Sequence, residues 1–172
     1  MNPQANDPAP PAPAASAEID SAKTFGDAIV ASVAQALQRR ARRLVFVDPD
    51  FDDWPLDNIE MHSSLTGFAR LPGRELVLLA SSFDAMQRRC PRFVVWRRVW
   101  GHVVAAWRPA DDEVRLPSVL LADRTIAVEL LDRVDWRGQV LTDDRRLHRL
   151  ADEVDVFLQR CEPAFGASTL GL

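Results

Sequence analysis

Cysteine is nearly absent from this chain. Cys90 and Cys161 are the only two, they stand far apart, and neither belongs to a CxxC pair or has a metal-spaced histidine nearby. That pattern supports neither a disulfide framework nor a structural zinc site, and two reduced, partly covered thiols are expected. Lysine is scarcer still, since Lys23 is the only one and the other basic residues are arginines. Long apolar runs are missing as well. The longest, such as Leu76 to Ala80 and Val119 to Ala122, are strand-sized and far short of the ~20 residues that span a bilayer. The opening MNPQANDPAPPAPAAS has no basic segment ahead of an apolar one, so no secretory leader is read there, and a cytoplasmic protein without membrane contact is expected. A net charge of −4 supplies no global polyanion-binding signature, which leaves nucleic acid as a weakly supported partner needing a local basic patch.

What is present is ordinary globular composition: 47% hydrophobic and 27% charged residues over 172 positions, enough for one domain with a buried core. Residues 1–20 are rich in Pro and Ala, hold nothing that builds a core, and are expected to be a disordered tail. Residues 21–172 form the single expected domain. Phe25, Ile29, Val33 and Leu37 recur every four residues and predict a helix ending near Arg43. Leu44 to Val47 and Glu75 to Ala80 read as buried strands. Between them come an acidic loop, Asp48 to Pro55, and a helix carrying Ile59, Leu65 and Phe68. Ser81-Ser82 caps a short helix with Phe83 and Met86, and Pro91 starts another that Gly101 ends. Val103 to Trp107 is a third strand. Ser118 to Ala122 and Ile126 to Leu130 form a hairpin around Asp123-Arg124-Thr125. A last helix, capped at Thr142 and Asp143, carries Leu147, Leu150, Val154, Phe157 and Leu158 and stops before Pro163. The fold class is therefore α/β, a mixed sheet of five strands flanked by helices.

The order ending in an apolar strand, Asp-Arg, an apolar strand and a final helix resembles one half of the phospholipase D superfamily. That family carries His-x-Lys-x4-Asp followed by Gly-Ser on this hairpin. With its Asp on Asp123, its His falls on Leu116, its Lys on Ser118, and its Gly and Ser on Leu130 and Leu131. His62, His102 and His148 are followed two residues later by Ser64, Val104 and Leu150, so no histidine restores the motif. The imidazole nucleophile and cationic groups of that chemistry are missing. The chain is also similar, from Arg43 to Leu172, to an uncharacterised proteobacterial family of phospholipase-D-like domains sometimes joined to an acetyltransferase. The similarity lies in Asp48-Pro49-Asp50-Phe51-Asp52-Asp53-Trp54-Pro55 and in the ending from Glu162 to Leu172. It implies a pseudoenzyme half-domain and a homodimer around a shared site.

Several residues are candidates for ligand binding. Asp48 and Asp50 open a carboxylate group after a strand, where α/β proteins place ligand sites. With Asp123 they are the residues a metal-assisted phosphatase or nuclease would use, in the manner of haloacid-dehalogenase-like enzymes. The competing expectation is a solvated turn in which Asp side chains bond backbone N–H groups. Arg97 and Arg98, among arginines interleaved with Phe93, Trp96, Trp100 and Trp107, offer forks for phosphate or nucleic acid. If Phe93, Trp96 and Trp100 pack on the sheet, those arginines stay in solvent. His102 follows Gly101 near a helix C-terminus and is the first histidine to suspect, with a structural hydrogen bond to a backbone carbonyl as the favoured alternative, and Glu129 sits in an apolar strand, so it faces solvent at an edge or pairs with an arginine. His62 and His148 are expected on the surface, and the apolar ending from Ala164 is expected to dock on its own domain. No metal or cofactor is assigned. The functional expectation is a non-catalytic domain that binds a protein partner or a phosphorylated ligand, with the acidic-loop enzyme as its alternative.

Overall fold

The computed structural model describes residues 18–111, 113–142 and 145–166. The elements run β1 (Glu18–Ile19), α1 (Ala22–Gln38), β2 (Arg43–Val47), α2 (Ile59–Ala69), β3 (Glu75–Leu79), α3 (Asp84–Arg89) and α4 (Pro91–Val99). They continue with β4 (Val104–Pro109), β5 (Ser118–Ala122), β6 (Ile126–Asp132), β7 (Arg137–Thr142), α5 (Arg145–Leu158) and β8 (Cys161–Pro163). The strands form one mixed sheet of eight, in the order β1-β7-β6-β5-β2-β3-β4-β8. β2, β3 and β4 are parallel, and the flanking strands are antiparallel to their neighbours. The α/β class and mixed sheet agree with the sequence reading.

Three strands lie beyond that reading. Arg137–Thr142 is a strand and not the approach to a helix, so Thr142 closes β7 in register with Ile126, and the Asp143 half of the expected cap lies outside the described residues. The β6–β7 register is what commits this polar stretch: Leu141 and Val140 find Ala127 and Val128 opposite them. β8 is a short edge added to β4 after α5. β1 lies inside the expected tail of residues 1–20, because Glu18 and Ile19 pair with Gln139 and Gly138 and Ile19 is buried. The remainder of the expected tail, residues 1–17, lies outside the described residues. No helix among the described residues is long and apolar enough to cross a membrane.

Alternation along each strand sends side chains to two cores. Leu44, Phe46, Leu76, Leu78, Leu120 and Val128 face α1 to α4, while Val45, Val47, Val77, Leu79, Val119 and Leu121 face α5. Side-chain acceptors set the starts of α1, α2 and α4, whereas α3 begins after Phe83 without a side-chain cap. Ser21 and Thr24 form a reciprocal capping box on α1, and the Asn58 carboxamide accepts from the Glu60 and Met61 N–H groups on α2. α4 begins at Pro91, and Asp57 accepts from the N–H groups of Arg92 (3.2 Å) and Phe93 (2.8 Å), so a loop carboxylate caps a helix it does not belong to.

Gly138 marks the closest approach. A Cβ there would lie 2.6 Å from the Glu129 carbonyl oxygen and 3.2 Å from Ile19 Cδ1. Gly138→Ala is therefore expected to destabilise the fold by roughly 1–3 kcal/mol through overpacking of β1, β6 and β7. Urea unfolding measures this, and an unchanged midpoint would contradict the β1–β7 pairing.

Candidate functional site: an acidic web and an adjoining recess

β2 is one residue too short to hold Asp48, yet the alternation continues through it. Leu44, Phe46 and Asp48 share a face, so Asp48 points into the core beneath α1 to α4 and is 1% exposed. A carboxylate there must find donors within the fold. Its Oδ1 accepts from the backbone N–H of Asp50 (3.0 Å) and Phe51 (2.7 Å), and its Oδ2 accepts from Trp54 Nε1 (2.9 Å) and Ser118 Oγ (2.5 Å). Ser118 is the first residue of β5, so this contact ties the carboxyl end of β2 to the start of its antiparallel neighbour. Arg133, in the β6–β7 loop, brings its guanidinium to 3.6 Å from Asp48 and to 2.9 Å from both Asp50 and Asp53.

Burial drives the Asp48 carboxyl above the usual aspartate range, against the pull of Ser118, the two backbone N–H groups and Arg133. For Asp50, burial pushes the same way, but hydrogen bonds from Arg133 and the Asp52 N–H and the Arg133 charge outweigh it, holding its carboxyl below that range. The Arg133 guanidinium is itself partly desolvated, which favours its neutral form, yet the bonds to Asp50 and Asp53 and the charge of Asp48 move its pKa upward.

The loop backbone follows from this web. Phe51 adopts φ +58, a left-handed conformation that disfavours a non-glycine residue by roughly 1–2 kcal/mol. It is held there by its N–H bond to Asp48 and by a fully buried ring lying 5.1 Å from Trp54 and 6.2 Å from Phe83. Trp54 in turn packs on Phe46 and Phe25, joining the loop to the sheet and α1. Asp52 meets Arg89 at 2.8 Å. The expected Asx-type bonds to backbone are present, but Asp48 is buried rather than solvated.

The remaining candidates are scattered. Asp123, at φ +47 in the β5–β6 turn, accepts from the N–H groups of Arg42 and Arg43 (2.8 Å to the latter) and clasps the beginning of β2. It lies at the opposite end of the strand from Asp48, about 15 Å away at ~3.3 Å rise per residue. Asp48, Asp50 and Asp123 thus do not assemble into one site. Among the described residues no group of three His, Cys, Asp or Glu side chains is arranged to hold a metal. His102 is exposed in the turn before β4, also at the far end, with its ring 5.8 Å from Trp100. His148 is exposed, but His62 is half-buried, 3.8 Å from Asp57 and edge-on to Phe93. Glu129 takes the second of its expected roles: buried on the α5 face, it accepts from Arg146 (2.5 Å) and Gln139 (3.1 Å).

Arg98 is exposed, whereas Arg97 corrects the reading that left these arginines in solvent. It is 5% exposed because it follows Phe93 by one helical turn on the buried side of α4. It donates to the Phe165 carbonyl and stands 4.1 Å over the Phe165 ring, which stacks on Phe83 at 5.0 Å. Ala164 and Phe165 therefore do dock on the domain; residues 167–172 of that ending lie outside the described residues.

Beside the acidic web, at the carboxyl ends of β3 and β4, lies a recess of about 420 Å³ lined by Ser81, Ser82, Phe83, Asp84, Gln87, Arg108 and the Pro163–Phe165 segment. Sequence reasoning took Ser81-Ser82 only as a cap. The web builds this recess, since the N–H groups of Ser81 and Ser82 both donate to the Pro49 carbonyl at 3.1 Å. A cavity of about 430 Å³ at the other end of the sheet is lined by Arg43, Asp123, Arg124 and Asp155. Its arginines are neutralised in place by Glu75, Asp152 and Asp155.

No family model and no curated protein matches the sequence. Among solved structures, the chain is similar to TrmBL2, an archaeal chromatin protein whose structure shows a novel mode of DNA binding, with TM-score 0.59 and 10% identity over 87% of this chain. The chain spans about half of TrmBL2, 53% of its length. At that identity the likeness concerns the fold.

Asp48→Ala orphans the Trp54 indole N–H, the Ser118 hydroxyl and two loop N–H groups. It is expected to lose roughly 2–4 kcal/mol of unfolding free energy, while Asp53→Ala, at the exposed rim, changes it by less than ~1 kcal/mol. Denaturant titration of both variants checks this, and equal small losses would contradict the web.

Proposed function

We propose that this chain is a non-catalytic, phospholipase-D-like half-domain of the cytoplasm that receives a small phosphorylated ligand in the recess beside Ser81 and Arg108. The carrying observation is a contrast between neighbours. Every carboxylate of the acidic loop is engaged by donors of the fold itself, while the recess beyond it presents exposed Ser81, Ser82 and Gln87 and a half-exposed Arg108. Four donors saturate Asp48, which leaves it no lone pair with which to serve as a base or metal ligand.

The recess offers donors to a phosphoryl group, which must draw Arg108 away from Glu162 and lie clear of the exposed Asp84 carboxylate on the same wall. Arg108 supplies a planar fork, now shared with Glu162 (2.5 Å), and the serine hydroxyls supply neutral donors. Its place supports the reading too, because open α/β sheets take ligands outside the carboxyl ends of their parallel strands. β3 and β4 end there, and β2 delivers Pro49 to the same end. The homodimer that goes with two-halved relatives is part of the proposal. The DNA binding of TrmBL2 is not carried over.

Isothermal titration of the full chain with ribose 5-phosphate tests the reading. Binding is expected with no release of inorganic phosphate, weakened about tenfold by Arg108→Ala, a loss of ~1.4 kcal/mol, and less by Ser81→Ala. Absence of binding, binding indifferent to Arg108→Ala, or turnover abolished by Asp48→Asn would each overturn it.

A further inference from the structure

Of the three buried charged side chains among the described residues, Asp48, Arg97 and Glu129, Arg97 is the one without an ion pair. It is 95% buried by its 5% exposure, and among the described residues no carboxylate pairs with it. Of the five N–H donors on a guanidinium, one finds the Phe165 carbonyl, and Nε is buried without a hydrogen-bond partner. Enclosing a guanidinium this way is unfavourable unless something better than one carbonyl meets it. Burial alone accordingly depresses its affinity for its proton.

What meets it now is an aromatic ring inserted between two faces. The Phe165 ring lies at 11° to Phe83, 5.0 Å between centroids, with the Arg97 guanidinium on it at 4.1 Å. Phe165 itself is at φ +43, a strained conformation for a side chain of its size, and it is only half-buried. Ala164 and Phe165 also form one wall of the Ser81–Arg108 recess. A ring stacked between an arene and a guanidinium, with a neighbouring carbonyl oxygen taken by that guanidinium, is the arrangement by which proteins hold a nucleobase.

We infer that Phe165 is an internal stand-in for a nucleobase, and that the site takes a nucleoside monophosphate whose base displaces Phe165 from between Phe83 and Arg97 while its phosphate sits at Ser81, Ser82 and Arg108. This rests on the proposed function and names its ligand class. The base brings ring nitrogens and carbonyls that accept from Arg97, including the donor that Phe165 leaves unpaired. The strap closes the slot when no nucleotide is present, so apparent affinity is reduced by the fraction of molecules in which it is closed.

The test is calorimetric titration of the full chain with AMP, UMP and ribose 5-phosphate, in the native sequence and in Phe165→Ala, Phe165→Leu and Arg97→Lys, each checked for folding by circular dichroism. Removing the competing ring is expected to tighten AMP at least tenfold in Phe165→Ala and less in Phe165→Leu, while ribose 5-phosphate, whose recess shares the Phe165 wall but not the slot, changes by less than about threefold. Arg97→Lys keeps the charge but loses the fork, and is expected to bind AMP no better than ribose 5-phosphate. If ribose 5-phosphate binds and the Phe165 variants leave AMP unchanged or weaker, the stand-in is wrong and the phosphate recess survives. If neither compound binds any variant, both fall.

Discussion

A single buried carboxylate organises the end of the sheet at which β2, β3 and β4 finish. Asp48 leaves β2 on the side facing α1 to α4, where water cannot reach it, and a charge in that position is tolerated only when donors are already in place. Two come from the backbone of its own loop, one from an indole and one from the first residue of β5. Each partner is thereby fixed in turn. Phe51 is held in a left-handed conformation and Trp54 is oriented against Phe46 and Phe25. The end of β2 is locked to β5, and Pro49 is placed where its carbonyl receives the Ser81 and Ser82 N–H groups. The recess inherits its shape from that sequence of constraints.

The same economy explains why the acidic residues are a framework. Arg133 reaches from the β6–β7 loop to three of them, and Arg89 holds the fourth. Asp123 performs a comparable task at the far end, clasping the N–H groups of Arg42 and Arg43. Aspartates thus staple both ends of β2, the strand on which the parallel and antiparallel halves of the sheet meet. Exposed Ser81, Ser82 and Gln87 lie one strand further along, where β3 and β4 end beneath the Phe165 strap.

Much of this is legible in the sequence, for identifiable reasons. β2, β3, β5 and β6 are buried on both faces and read as continuous apolar runs, and the Asp123-Arg124-Thr125 turn announces its hairpin. β7 is less visible because Arg137, Gly138 and Gln139 open it and its place is set by pairing with β6, a long-range term no local pattern carries. β1 and β8 are too short to leave a period. The burial of Asp48 could have been read from Leu44 and Phe46, which precede it at spacing two, and that of Arg97 from Phe93 one turn before it. In both cases a charged side chain overrode a periodicity that continued through it. The strap over Arg97 has no such signal, since it joins residues 68 positions apart.

Native-state amide hydrogen exchange tests the central role of Asp48 most directly. The N–H groups of Phe51, Ser81 and Ser82 lie in loops, where exchange is ordinarily fast, yet each is bonded within the web or to the carbonyl it positions. Protection of these three amides approaching that of β2 and β3, and lost together in Asp48→Asn, is the predicted result. Exchange at the rate of an open loop in the native protein would contradict the account.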